Sequence, residues 1–318
     1  MAYFVKQVKK KWPQEVRLIE IPQSINWWHR RKVKLWFYYM MLRLRIFTSA
    51  KDTILFMEYL GNRSGNQTGM ALKLKKWGVK SKIVGLVHLP GNSLLELYRD
   101  EEYISKAAKA LDKLIVFGAS LSKFFAERGF EKKVRITPHY VETNYYKPSD
   151  IIDYYNATLN VIHMGSLKRN FDMLKEIVQN TPQVQFHICM GNNDLTEKFA
   201  HLENVNLYGF MDENELLSLM QRCQVSLSIL DDTVGSNVIT TSMACGLVNV
   251  VSDVGSIRDY CNDSNAVLCK TTTDFSAALL MLAKDQKMLQ AKQRQSRKDA
   301  MEISLEKSLA EFKSILTQ

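Results

Sequence analysis

The sequence predicts an α/β protein of two consecutive parallel-sheet units, residues 1–150 and 151–318, and three observations carry that reading. Short runs of β-branched and aromatic residues alternate with longer helix-patterned stretches along nearly the whole chain, as strand–helix–strand crossovers require. The alternation breaks once, at the polar segment NYYKPSD (144–150), and then restarts. Charge divides at the same place: residues 1–148 hold 28 Lys and Arg against 12 Asp and Glu, whereas the remainder hold 15 against 21. A basic half joined to an acidic half points to two units with different partners.

In the first unit, residues 2–11 read as a helix, VRLIEIP (16–22) as a strand ended by Pro22, and residues 25–47 as a long helix. TILFMEYL (53–60) is a strand, followed by a helix over 67–77 that Gly78 closes. KIVGLVHLP (82–90) is the next strand, with one helix over 93–111 after it. KLIVFGAS (113–120) is a strand leading into a helix that Gly129 stops, and VRITPHYV (134–141) is the last strand.

The second unit opens with LNVIHMGS (159–166) as a strand and a helix over 171–180. VQFHICMG (184–191), VNLYGFM (205–211) and VSLSIL (225–230) are strands, with a helix over 214–223 between the last two. Residues 237–245 read as a helix, LVNVVSDV (247–254) and AVLCK (266–270) as strands, and 273–316 as a charged helical stretch. Two Rossmann-like units are the simplest architecture with this order, and in such sheets ligands bind beyond the carboxyl ends of the strands.

Composition excludes several classes. The chain is 46% hydrophobic and 24% charged, ordinary for a globular protein. It has no run of roughly 18 apolar residues that could span a membrane. The opening MAYFVKQVKKKWPQ lacks the apolar stretch of a signal peptide, so a cytoplasmic location is expected. Five cysteines, none in a C-x-x-C pair, suggest reduced thiols rather than a disulfide framework or a zinc site. Asp231-Asp232 is not a D-x-D motif, no other residues form a ligand cluster, and no metal or cofactor is expected.

Two segments of the second unit carry the chemistry. Gly165-Ser166-Leu167-Lys168-Arg169-Asn170 joins a strand to a helix. Glycine lets backbone approach a phosphate, a helix N-terminus favours an anion, and Lys168 and Arg169 add positive charge. A structural turn explains this segment equally well when it stands alone. The second runs from Thr233 to Gly246 and includes Gly235, Ser236, Asn237 and Val238, again at a helix start, with Ser236 or Asn237 as cap. Two such helix starts in one sheet suggest a diphosphate held between them. Gly191 at the end of its strand, Asp232 just beyond another, and Thr241 in the helix that follows complete the candidate donor-binding set.

These segments resemble retaining glycosyltransferases of family 4, within the glycosyl transferases group 1. HMGSLKRN is similar to that family's strand–glycine–basic segment at the donor diphosphate. SNVITTSMACGLVNVVSDVGSIRDY is similar to its nucleotide helix and following strand. MGNN (190–193) and VNLYGFMDENELLSLMQRCQVSLSIL (205–230) fall in the expected order between them, while VHLP, DKLIVFGASLSKFFAERG and KVRITPHYVETNYYKP resemble the acceptor-side domain. Over roughly residues 50–270 the resemblance implies a GT-B fold, two Rossmann-like domains facing a cleft. It implies transfer of a sugar from a nucleotide-sugar to a glycan or lipid-linked acceptor, with retention and without a metal, in cell-surface polysaccharide assembly. His88, ending its strand in VHLP, becomes the candidate catalytic residue; His139 stays ambiguous.

The sequence departs from the family in two respects. Two glutamates of the family motif, eight positions apart, correspond to Thr233 and Thr241, and a hydroxyl replaces a carboxylate that could accept two charge-assisted bonds. The opening strand of the acceptor domain is also missing from the pattern. These departures keep open a second reading, a non-catalytic relative that binds a glycan or a partner protein. Finally, NWWHRRKVKLWFYYMMLRLRIF (26–47) mixes aromatic and basic residues. It reads either as a helix packed on a sheet or as one lying peripherally on an inner-membrane surface. No nucleic-acid-binding signature accompanies the basic half, so nucleic acid is not expected as a partner.

Overall fold

The computed structural model describes residues 2–22, 27–61, 67–149, 158–165 and 168–317. The chain divides into two compact units. One comprises Met1–Phe117, Leu121–Thr137 and Leu309–Gln318; the other comprises Gly118–Ser120 and Pro138–Ser308.

The first unit contains α1 (Ala2–Lys11), α2 (Trp27–Phe47), β1 (Thr53–Phe56), α3 (Gln67–Lys76), β2 (Lys82–Val87), α4 (Gly91–Tyr98), α5 (Glu101–Ala110) and β3 (Lys113–Val116). The chain continues through α6 (Ala119–Ala126) to β4 (Val134–Ile136). The four strands form a parallel sheet in the order β1-β2-β3-β4. The expected strand over 16–22 does not form. Lys9 Nζ donates to the carbonyls of Pro13 and Val16 at 2.7 and 2.6 Å, and the Val16 amide donates to Trp12 O at 3.0 Å. These groups are spent on a turn that follows α1 and are not offered to a sheet.

β1 ends at Phe56, short of the expected Leu60, because Tyr59 turns inward. Its amide bonds to Leu86 O at 3.0 Å and its hydroxyl to Ala107 O at 2.9 Å. The ring lies against Gly85 of β2, where an added Cβ would come within 2.7 Å of it, so only glycine fits there. The expected helix over 93–111 is two helices. Arg99 adopts a left-handed conformation (φ +52°) that ends α4, and Asp100 accepts from the Tyr103 amide at 2.9 Å to begin α5.

The second unit contains β5 (Asn160–His163), α7 (Phe171–Asn180), β6 (Gln185–Cys189), α8 (Thr196–Phe199), β7 (Val205–Tyr208), α9 (Glu213–Met220) and β8 (Val225–Ser228). α10 (Asn237–Ala244), β9 (Val248–Ser252), β10 (Ala266–Cys269), α11 (Thr272–Lys284), α12 (Gln286–Glu302) and α13 (Leu305–Thr317) follow. All six strands are parallel, in the order β10-β9-β8-β5-β6-β7. On one face, Val161, Phe186, Ile188 and Val250 are buried with Leu174, Ile177, Phe275 and Leu279 of the helices. The other face buries Ile162, Met164, Leu219, Met220 and Cys245.

The charged stretch after residue 272 resolves into three helices. Asp285 caps α12 through the Met288 amide at 2.9 Å. From Leu309 onward, α13 belongs to the first unit. Phe312 meets Phe4 edge-on at 5.1 Å, Lys113 Nζ donates to Ile315 O at 2.7 Å, and Lys313 pairs with Glu15 at 2.9 Å. All five cysteines are free, and burial pushes the thiols of Cys189, Cys245, Cys261 and Cys269 up to about 12. Among the described residues, no helix is long and apolar enough to cross a membrane.

Candidate functional site

The order of the second sheet reverses between β5 and β8: the chain moves outward through β6 and β7, then returns to add β8, β9 and β10 on the other side of β5. The connections beyond these two strands therefore part, and the crevice at their carboxyl ends is where such sheets take a ligand.

Beyond β5, Gly165 sits at φ +84° and Lys168 at φ +53°. The loop is joined to the segment beyond β8 by backbone bonds, Asn170 N to Ile229 O and Asp231 N to Lys168 O, both at 3.2 Å. Arg169, paired with Leu230 in an isolated antiparallel bridge, folds its side chain back so that Nε donates to Met164 O at 3.3 Å. Among the described residues no carboxylate pairs with this guanidinium, and burial alone lowers its pKa to about 10. Asn170 caps α7 through the Met173 amide at 2.9 Å.

His163, the last residue of β5, is buried beneath the loop. Its Nδ1 lies 3.1 Å from Leu227 O and, among the described residues, its Nε2 has no hydrogen-bond partner. Burial first, and then the charge of Arg169, pushes its pKa down to about 3, so the ring is neutral. A neutral ring below Arg169 leaves the cation's charge available to an incoming anion.

Beyond β8 the chain is locked by its own polar groups. Asp232 Oδ1 accepts from the Thr233 amide at 2.8 Å, and Thr233 Oγ1 accepts from the Gly235 amide at 3.0 Å. Gly255 (φ +57°) runs beside this turn so closely that a Cβ there would lie 2.1 Å from Thr233 O. Gly235 (φ +111°) packs in the same way on the hydroxyl of Tyr260, 2.5 Å from where its Cβ would be. Ser236 then caps α10 by accepting from the Val238 amide at 3.2 Å. Thr241, one turn into α10, donates its hydroxyl to Asn237 O at 2.6 Å.

The structure brings Gly165, Arg169 and Val238 together. A Cβ at Gly165 would lie 3.1 Å from an Arg169 Nη2 and 3.5 Å from Val238 Cγ2. Lys168, Asp232, Gly235, Ser236, Asn237 and Thr241 stand on the two segments that border the same crevice. Gly191 (φ +59°) follows β6, one strand further out, with open space where a side chain would be. Ser166 lies outside the described residues. His88 belongs to the first unit, just past β2; its Nε2 is 3.5 Å from Glu58 Oε2, and its buried Nδ1 has no hydrogen-bond partner among the described residues. Sequence pattern does not single out His163, Gly255 or Tyr260. The one signal for His163 in the sequence is a histidine at the polar end of an apolar strand, and the other two show their use only as partners of the segment beyond β8.

Residues 158–285 match the family model described as Glycosyl transferases group 1. Among solved structures, the chain is similar to HepE of Anabaena in complex with UDP and glucose, with 13% identity over 98% of this chain and 89% of that one and a TM-score of 0.70. It is similar to sucrose-phosphate synthase of Thermosynechococcus elongatus, with 14% identity over 95% and 81% and a TM-score of 0.71. The pneumococcal O-GlcNAc transferase GtfA, in complex with UDP and GlcNAc, is also similar, with 15% identity over 87% of this chain and 58% of that one and a TM-score of 0.66. No curated protein sequence matches the chain. The fold is that of the GT-B glycosyltransferases. By its group 1 domain and this fold, the chain is a glycosyltransferase.

Proposed function

We propose that the crevice beyond β5 and β8 holds the diphosphate of a nucleotide-sugar, and that the enzyme transfers the sugar to a glycan or lipid-linked acceptor in cell-surface polysaccharide assembly. The observation that carries this reading is Arg169, a half-buried cation with no carboxylate partner among the described residues, set beside Gly165 and the start of α10. Lys168 and Arg169 would stabilise the charge that develops on the leaving diphosphate. The amides at the start of α10 would help to bind it. Retention of configuration without a metal follows from the resemblance to family 4. Lys168 and Arg169 are the cations that this reading assigns to the diphosphate. His88 would position the sugar or the acceptor.

Calorimetric titration with UDP, GDP, dTDP and ADP and their common sugar conjugates tests the proposal. UDP is the first to try, since HepE and GtfA were both solved with it. Selective binding of one nucleotide, weakened by Arg169→Ala, supports the reading. No binding by folded protein across the panel overturns it and favours the second reading, a non-catalytic partner or glycan-binding subunit. One observation supports that alternative: the hydroxyls of Thr233 and Thr241, where the resemblance places carboxylates, are already engaged with Gly235 N and Asn237 O.

A further inference from the structure

α2 is apolar on two opposite faces, and only one of them is used. At about 100° per residue, Phe37, Met40 and Met41 point to one side and are buried. Leu35, Tyr38, Tyr39, Leu42 and Ile46 fall within an arc of roughly 100° on the other side. Leu35 is 69% exposed, Tyr39 55%, Leu42 51% and Ile46 61%, with Phe47 at the helix end 77% exposed. Basic residues border this stripe on both flanks: Lys34 and Arg45 along one, Lys32 and Arg43 along the other. Arg43 lies over the Tyr39 ring at 5.7 Å, and Lys73 of α3 lies over the Tyr38 ring at 4.6 Å.

We propose that this stripe is the surface by which the protein lies on a membrane containing anionic lipid. Charge complementarity favours lipid as the occupant. Residues 1–47 contain eleven Lys and Arg and two acids, Glu15 and Glu20, and neither acid is on α2. An apolar stripe between two cationic rows places leucine, isoleucine and tyrosine at the acyl boundary while the basic side chains reach lipid phosphates on either side. A second copy of the chain is a poorer occupant, since pairing the stripe with itself would set cationic rows against one another. α2 belongs to the first unit, and its contact with lipid does not depend on whether the second unit binds a nucleotide.

The test is flotation of the full chain with vesicles of phosphatidylglycerol and phosphatidylcholine, beside vesicles of phosphatidylcholine alone. Binding is expected on the anionic vesicles and should fall as salt is raised. Arg43→Ser with Arg45→Ser should weaken it by about tenfold or more. Leu42→Glu with Ile46→Glu should abolish it, and because both positions are exposed the thermal midpoint should be unchanged. Failure to float with anionic vesicles overturns the proposal, as does flotation unaffected by the Leu42/Ile46 pair. A dimer in solution that the same pair dissociates also overturns it, assigning the stripe to a second copy.

Discussion

Arg169 is the residue whose removal separates a donor site from a structural turn. Charge-assisted bonds to a diphosphate contribute about 1.5–3 kcal/mol, so Arg169→Ala should weaken nucleotide binding roughly 10- to 150-fold by calorimetry. Arg169→Lys should recover only part of that loss, because a point charge cannot reproduce the planar fork. Thr241 invites the converse change. Thr241→Glu restores a carboxylate one turn into α10, and a gain of about tenfold in nucleotide affinity is expected if ribose contact limits binding there. His163 gives a pH dependence. Its folded pKa of about 3 lies below the ordinary 6.5, so its contribution is complete above about 6.5 and is lost as pH falls towards 3. That limb has a slope of up to about 1.4 kcal/mol per pH unit. Urea midpoints measured from pH 7 to pH 4 should fall less for His163→Leu than for the unmodified protein. At this scale the sequence shows the cations and the glycines, because their chemistry is carried by residue type. It does not show that Thr233 and Thr241 are engaged locally, since those bonds depend on loop conformation.

Elements were legible where a local signal ends them and illegible where a distant partner does. Asp100, followed by Glu101 and Glu102, is a helix start that the sequence displays, although the helical pattern runs on without a break from 93 to 111. Tyr59 stops β1 through contacts with Leu86 and Ala107, which no window of neighbouring residues contains. The stretch over 16–22 has strand composition, yet Lys9 consumes the carbonyls of Pro13 and Val16 beside it. Two predictions belong here. Ser236→Ala removes the cap of α10 and should cost about 1 kcal/mol, read from the urea midpoint. Phe312→Ala empties a position only 1% exposed against Phe4 and should cost about 3–5 kcal/mol, read from unfolding of the first unit.

For the molecule as a whole, the strand–helix alternation announced both parallel sheets, while strand order had to come from pairing. The reversal between β5 and β8 is the feature that locates the candidate site, and periodicity carries no information about it. Hydrogen exchange with and without UDP addresses this scale. Slowed exchange is expected at 164–170 and 231–241, and a pattern that spares both segments would count against the crevice as the donor site. The return of α13 to the first unit has a consequence during synthesis. About 170 residues of the second unit lie between Thr137 and Leu309, and at roughly 5–20 residues per second they take the ribosome about 9 to 34 s. Through that interval the nascent first unit presents the Phe4 face without its covering helix. Chaperone dependence in the cell should therefore track the pace of translation over the second unit, and a slow-codon gene should yield less folded protein than a fast one encoding the same chain.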